Sequence, residues 1–278
     1  NPSDSVGISG KAIKANGQSA VGFIRVTLSP NNVSVENTVS EGIFLVNITL
    51  PDNIAPGTCL IEADVFEKDS SGYVTNEGKW VREISVRPVL RQLDIVIKES
   101  SSVIPGEEIN FGFSAFDQAK TPITRDVAYN IVDPNRVKQT EKIVKTDLNQ
   151  KFSVALNAVP GYWSIEAHTG DRISKKLFYV EELEQASFEL ANNTLTILNI
   201  GNVIYNKQVE IGIGEFKQIK EVKIDVGKSI KFKLSAPDSQ YSVYVSDGNR
   251  TLEAANVGLT GRAIGAGEIT EGPISLGM

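Results

Sequence analysis

The most constraining feature of the chain is a period-two alternation of apolar and polar residues in short runs. Clear examples are Ile24-Arg25-Val26-Thr27-Leu28, Ile109-Asn110-Phe111-Gly112-Phe113 and Val209-Glu210-Ile211-Gly212-Ile213. Successive side chains of a β-strand point to opposite faces, so each run supplies one buried side and one solvent-facing side. Short strands of this kind, separated by turn residues, predict an all-β protein built of β-sandwiches.

A strand–turn–strand repeat divides the chain into three parts. Its turns are Ala55-Pro56-Gly57, Val159-Pro160-Gly161 and the weaker Ala236-Pro237-Asp238. Proline fixes its own φ and suits a turn, so each copy predicts a hairpin. An immunoglobulin-like sandwich needs about 100 residues, and the chain has 278. We therefore expect three tandem immunoglobulin-like β-sandwiches, called modules one, two and three, at residues 1–90, 91–182 and 183–257.

Residues 258–278 contain six glycines and no clear core strand, which predicts a Gly-rich tail or linker. The tail begins with Gly258-Leu259-Thr260-Gly261-Arg262-Ala263-Ile264, and four of these seven residues are identical to those of Gly7-Ile8-Ser9-Gly10-Lys11-Ala12-Ile13. Three interpretations are open: coincidence in Gly-rich sequence, the first strand of a further module, or a strand lent to a neighbour. Our hypothesis is the last, assembly by strand addition at a free sheet edge.

Charge and hydropathy exclude several classes of partner. The net charge is −6, so no basic surface is expected for nucleic acid or anionic lipid. No run of about 18 apolar residues occurs, so no membrane span is expected within the chain. The chain begins at Asn1, which we interpret as a processed mature chain or an excised fragment. A membrane anchor beyond Met278 stays open.

The residues that usually carry out catalysis are scarce. His168 is the single histidine and Cys59 the single cysteine, and they fall in different modules, so no Cys–His or Ser–His pair is expected. We predict a strand-end histidine and a small buried cysteine. The acidic cluster Glu67-Lys68-Asp69-Ser70-Ser71-Gly72 lacks regular calcium-ligand spacing and predicts a solvated turn. We expect no catalytic, cofactor-binding or metal-binding residues, and no enzyme.

Two features suggest surface recognition. Tyr73 and Trp80 flank a predicted polar turn, residues 74–79. Exposed aromatic side chains can stack on sugars or anchor a protein partner. The interpretation that we favour is that one of the two is a core residue and the other an edge-strand residue. Four Asn-x-Ser/Thr sequons begin at Asn32, Asn47, Asn192 and Asn249. Asn32 and Asn249 fall in predicted loops, where a glycan can be attached.

Each module also resembles a known family. Module one resembles the carboxypeptidase regulatory-like (transthyretin-like) sandwiches through residues 7–10, 21–26 and 41–44, followed by Ala55-Pro56-Gly57. Module two resembles the macroglobulin-type sandwich through residues 104–109, Val132-Asp133-Pro134 and residues 159–163. Module three resembles the cell-adhesion-related domains of prokaryotic, often archaeal, surface proteins through residues 195–202 and 222–228. These resemblances imply extracellular structural or adhesive roles and transfer no catalytic residues.

The expected function is an extracellular, structural or adhesive protein of the cell surface, including a subunit of a filament or surface layer. Its expected partners are further copies of itself or other surface proteins, and glycans. One alternative is a non-catalytic accessory or binding module of a larger secreted hydrolase. Another is an enzyme that uses a pair of carboxylates in a cleft.

Overall fold

The computed structural model describes residues 1–269, and these residues form β-strands and connections without a helix. This confirms the predicted all-β class. The strands make three sandwiches, each with a hydrophobic core of its own. Within residues 1–269 no helix is present that could cross a membrane. The remainder of the predicted tail, residues 270–278, lies outside the described residues.

Module one contains six strands. They are β1 (Ser5–Lys11), β2 (Gly22–Ser29), β3 (Val33–Val39), β4 (Ile43–Thr49), β5 (Gly57–Lys68) and β6 (Val74–Val86). One sheet has the order β3-β2-β5-β6, and the other contains only β1 and β4. Alternate residues of β2 and β5, such as Ile24, Val26 and Ile61, are buried between the sheets, as their period-two pattern predicts.

Module two contains eight strands. They are β7 (Leu90–Ile97), β8 (Ser102–Val103), β9 (Glu108–Asp117), β10 (Asp126–Val132), β11 (Lys138–Lys145), β12 (Gln150–Ser153), β13 (Gly161–Thr169) and β14 (Arg172–Val180). The sheets are β11-β10-β13-β14-β8 and β12-β9-β7. An aromatic cluster of Phe111, Phe113 and Tyr129 fills the core, with ring centroids 5.1–5.7 Å apart. Such edge-to-face and tilted contacts add to the free energy gained from burial.

Module three also contains eight strands. They are β15 (Ala186–Ala191), β16 (Thr194–Asn199), β17 (Tyr205–Ile213), β18 (Phe216–Ile224), β19 (Ser229–Ser235), β20 (Ser239–Ser246), β21 (Thr251–Leu259) and β22 (Gly265–Glu268). They form two four-stranded sheets, β15-β16-β19-β22 and β18-β17-β20-β21.

The predicted hairpins are wrong in all three modules. The strand–turn–strand repeat does recur in the structure, but its two strands lie in different sheets. In module one, β4 pairs with β1 while β5 pairs with β2 and β6, so the turn at Pro56 joins two different sheets. The turn at Pro160 joins β12 to β13, and the turn at Pro237 joins β19 to β20, again across the sandwich. The repeat is therefore an arch between sheets. A sequence pattern specifies that a strand follows, but not the strand with which it pairs.

Glycine is required where two of these arches enter their second strand. Gly57 and Gly161 begin β5 and β13 with φ values of +124° and +120°. L-residues rarely adopt this conformation. We expect Gly161→Ala to lower the free energy of unfolding of module two by about 1–3 kcal/mol. Urea unfolding followed by Trp163 fluorescence in a Trp80→Phe background measures this.

The matched control for Gly161→Ala is Gly78→Ala. Gly78 lies in β6 without a positive φ, and a Cβ there would meet no atom within 4 Å. We expect no loss of stability from this variant. Equal stability of Gly161→Ala and the parent protein would contradict the requirement for glycine at the arch.

The expected boundary at residue 257 is not a structural one. β21 continues to Leu259, which is 1% exposed, and β22 pairs with β19 and buries Ala266 in the core of module three. Residues 258–268 thus belong to module three, and Gly258 and Leu259 are already paired with β20. Residues 260–264 form the exposed connection to β22. The sequence of β22 does not predict a strand, because Ala266 is its only apolar residue.

Buried carboxamide side chains hold both connections between modules. At the first, Gln118 accepts a hydrogen bond from the Val89 N–H at 2.7 Å and donates one to the Arg87 carbonyl at 3.1 Å. At the second, Asn202 accepts from the Leu183 N–H at 2.6 Å. The Asn202 amide also donates to the carbonyls of Ala158 at 2.9 Å and Glu181 at 2.8 Å. Asn202 therefore fastens module three to the backbone of module two.

Candidate functional site

The sheets of module one differ in width, and this leaves part of β6 uncovered. Trp80 lies opposite Ala63 and therefore on the core side of its sheet. Ala63 is buried at 4% exposure, yet Trp80 is 47% exposed. The opposing sheet has only β1 and β4, and its β1 edge stops short of β6. The candidate site is the cleft that results.

The cleft has a volume of about 610 Å³. It lies between β1, with the residues that follow it up to Ala15, and the first half of β6. Its floor is apolar and comprises Ile8, Ala12, Phe44, Ala63 and Val65, with Trp80 along one side. Because β1 and β6 end their sheets within residues 1–269, free strand edges border both sides of the cleft.

One end of the cleft is closed by a buried carboxylate. Glu67 pairs with Lys14 at 2.8 Å and accepts hydrogen bonds from the Val21 N–H and the Asn76 amide, both at 2.8 Å. The hydrogen bond from Lys14 is the main cause that holds the pKa of Glu67 below its ordinary value of 4.5. The Val21 and Asn76 contacts act in the same direction, and desolvation opposes them. Glu67 thus ties β5, β6 and the loop after β1 together.

The lowered pKa of Glu67 predicts an acid-sensitive cleft. Because the folded-state pKa lies below the unfolded one, the stabilisation is present above about pH 4.5 and is lost as the pH falls through the folded value. We expect Trp80 emission to shift to the red as acid opens the cleft, measured in Trp163→Phe, where Trp80 is the single tryptophan. Glu67→Gln should remove this pH dependence. Glu77→Gln, which changes the same charge beside the same cleft, should retain it; loss of the transition in both variants would contradict the assignment.

The arrangement of the cleft suits the binding of an extended chain. Free strand edges present backbone N–H and C=O groups that can pair with a further extended chain. The apolar floor can receive the alternate side chains of such a chain. Half-exposed Trp80 offers a ring face for stacking. The cleft can therefore take an extended peptide or a sugar chain.

The structure revises the interpretation of Tyr73 and Trp80. The predicted polar turn at 74–79 is the first half of β6, and the turn lies earlier, at 69–72. Tyr73 is 75% exposed at the end of that turn, and Trp80 is an edge-strand residue as predicted, but neither belongs to the core. Residues 74–83 are all exposed, because no strand of the opposing sheet, as described for residues 1–269, packs against them. Such exposed positions carry many polar residues, and the sequence therefore resembles that of a turn.

Cys59 and His168 lie where the sequence predicts them. Cys59 is 3% exposed in the core of module one, and burial raises the pKa of its thiol. Cys59 and Trp163 occupy equivalent positions in their modules, since each is the third residue of the strand that follows an arch. His168 is exposed one residue before the end of β13, in module two. The structure does not bring the two side chains together in one module.

The acidic cluster at 67–72 forms the predicted turn, but its first carboxylate is not solvated. Glu67 closes the cleft, and no local pattern predicts this because Lys14 and Asn76 are distant from Glu67 along the chain. Asp69 caps the turn by accepting from the N–H groups of Ser71 at 2.9 Å and Tyr73 at 3.0 Å. Among residues 1–269, no group of three or more His, Cys, Asp or Glu side chains is arranged to hold a metal.

The four sequon asparagines are exposed. Asn32 lies in the turn between β2 and β3, Asn192 in the turn between β15 and β16, and Asn249 in the turn between β20 and β21. Asn47 lies instead within β4, opposite Gly7. Their glycosylation stays a prediction, as does a role in assembly for residues 258–264.

No protein-family model and no curated protein matches the sequence. Among solved structures, the chain is similar to the native conformation of alpha-2-macroglobulin from E. coli, with 12% identity over 92% of this chain and a TM-score of 0.31. Domains 4 and 5 of the S-layer protein SbsC have 19% identity over 61% of this chain and 78% of that one, with a TM-score of 0.27. Domains 1–6 of SbsC have 14% identity over 92% of this chain and 33% of that one, with a TM-score of 0.26. This chain spans only 19% of the length of the alpha-2-macroglobulin chain.

Proposed function

We propose that the protein is a non-catalytic, extracellular structural or adhesive surface protein that acts as a subunit of a filament or surface layer. The observation that carries the proposal is the pair of fixed connections between separate sandwich cores. Gln118 and Asn202 are buried and hydrogen-bonded to backbone across each connection. Such connections hold neighbouring modules at a set angle, which a spacer or assembly subunit needs.

The partners that fit this role are further copies of the chain or other surface proteins. Module one offers free strand edges beside a cleft that has an apolar floor. Strand edges of this kind favour association with another chain. The exposed sequon asparagines are compatible with a glycosylated surface.

Two measurements test this function. Surface labelling and external protease treatment of intact source cells should reach the protein, while a cytosolic marker stays protected. Electron microscopy of the purified chain at rising concentration should show filaments or a lattice. Recovery of the protein only from the cytosol, together with monomers at every concentration, would contradict the proposal.

A second candidate function is a non-catalytic binding module of a larger secreted hydrolase. Half-exposed Trp80 beside a 610 Å³ cleft favours it, because aromatic faces stack on sugar rings. Oligosaccharides should then shift Trp80 emission in Trp163→Phe. The chain should also be retained on the polysaccharide from which these oligosaccharides derive, and Trp80→Ala should abolish this retention. Tyr73→Ala, which removes an exposed aromatic outside the cleft, should have no effect.

A further inference from the structure

The cleft of module one lies beside a sheet that has fewer strands than the sheets of the other modules. Its smaller sheet has two strands, whereas the smaller sheet of module two has three and those of module three have four. The core-facing side of β6 carries Gly78 opposite Val65 and Trp80 opposite Ala63, and no strand among residues 1–269 covers it. A strand added to the free edge of β1 would lie over this part of β6.

We propose that residues 272–278 of a second copy of the chain supply this strand. The inference rests on the proposed self-assembly function and names the contact that produces it. The donor pairs with β1 through backbone hydrogen bonds and places alternate side chains on the floor between Phe44 and Trp80. It differs from the assembly role expected for residues 258–264, which stays a separate prediction; two of those residues lie in β21.

The lining of the cleft favours a polypeptide over other occupants. A free strand edge presents donors and acceptors that alternate at the spacing of another β-strand, so a strand satisfies both kinds of group. The floor, formed by Ile8, Phe44 and Val65, is apolar and gains from burial of apolar side chains. An oligosaccharide would use Trp80 but would leave the β1 edge without regular partners.

The sequence and position of residues 272–278 favour them as donor. Ile274, Leu276 and Met278 alternate with Ser275 and Gly277, which is the pattern of a strand with one apolar face. The segment has the same length as β1 and follows β22, the last strand of module three.

A contact between the third module of one copy and the first module of the next is heterologous. Such contacts need not close into a ring and produce open chains of subunits. The proposal therefore predicts linear head-to-tail assemblies whose length rises with concentration.

A peptide experiment tests the acceptor site. A synthetic peptide of residues 270–278 is added to the full chain carrying Trp163→Phe, in which Trp80 is the single tryptophan. We expect saturable binding with a blue shift of Trp80 emission, and shortening of preformed assemblies because the peptide occupies acceptor sites. A peptide of the same composition in scrambled order should do neither. A shift with oligosaccharides but none with the peptide would overturn the proposal.

Paired variants test the donor strand. Ile274→Asp with Leu276→Asp should weaken self-association on the order of a hundredfold, because two apolar side chains lose their burial. Ser275→Asp adds charge to the opposite face of the same strand and should leave assembly closer to that of the parent chain. Light scattering with size-exclusion chromatography measures the oligomeric state. The assignment of the donor strand would be overturned if the parent chain, the double variant and Ser275→Asp formed assemblies of the same size at the same concentration.

A variant of the acceptor completes the test. A Cβ at Gly78 would meet no atom within 4 Å, so the side chain of Gly78→Leu starts from open space and extends toward the cleft. We expect this chain to fold, as judged by circular dichroism and unchanged Trp163 emission, and to lose both assembly and peptide binding. Insertion of a chain's own segment would appear as a buried Trp80 in monomers at every concentration, and would overturn donation between copies.

Different outcomes would refute the strand donation and the proposed structural function. If filaments form but neither the donor variants nor Gly78→Leu alters them, the strand donation is wrong and the structural role stands. If the chain is absent from the cell surface and remains monomeric, the proposed function fails as well.

Discussion

Replacing Trp163 with alanine is expected to lower the free energy of unfolding of module two by about 3–5 kcal/mol, the usual cost of removing a buried tryptophan. Trp163 is 3% exposed, and its ring lies 6.0 Å from those of Phe152 and Phe178. Its indole N–H donates to the Val159 carbonyl at 2.8 Å, which fastens the arch at Pro160 to the core. The substitution leaves both a cavity and an unpaired carbonyl.

Urea unfolding monitored by far-ultraviolet circular dichroism measures this loss. Trp80→Ala is the control, because it removes the other tryptophan of the chain from a half-exposed position. We expect the control to cost less than about 1 kcal/mol. Similar losses in both variants would show that Trp163 does not anchor the core of module two.

Replacing Asn202 with alanine is expected to destabilise the connection between modules two and three by about 2–4 kcal/mol. The substitution removes three hydrogen bonds and leaves the carbonyls of Ala158 and Glu181 and the N–H of Leu183 without this partner. Gly201 is part of the same contact, since a Cβ there would lie 1.9 Å from the Leu183 oxygen. The backbone of module three therefore approaches the connection closely.

Two readouts follow the Asn202→Ala variant. Calorimetry should show a lower transition temperature, and limited proteolysis should cut faster within residues 181–185. Asn206→Ala provides the control, because Asn206 is the same residue type, exposed, and uses only its backbone N–H toward Glu184. Proteolysis at the parental rate in Asn202→Ala would refute the role of Asn202 in holding the connection.

The sequence predicts individual strands well and their pairing poorly. The alternation at Phe111 and Phe113 requires only local side-chain geometry, and both residues are buried as predicted. Pairing depends on residues far apart in the sequence, so a local pattern does not distinguish the arches at Pro56 and Pro160 from hairpins. The strand β22 was missed because glycine and one alanine produce no hydrophobic alternation.

The candidate site was only partly predictable for a related reason. Trp80 was considered from its sequence context, but its exposure depends on the width of the opposing sheet, which no local pattern encodes. The sequence predicts that Glu67 lies in a solvated turn, whereas its partners Lys14 and Asn76 meet it only in the folded module. Residues 74–83 of β6 lack the alternation that marks the other strands, because all of them are exposed.

The hydrogen bonds of Gln118 and Asn202 have a consequence for the conditions that the chain tolerates. Carboxamides carry no charge at any ordinary pH, so the hydrogen bonds of Gln118 and Asn202 do not themselves depend on a titrating group. The ion pairs of the described surface, such as Arg25–Glu36 and Lys145–Asp126, are exposed and weaken as salt screens them. The angle between modules should therefore be the same at low and at high salt concentration, even where salt screens the surface ion pairs.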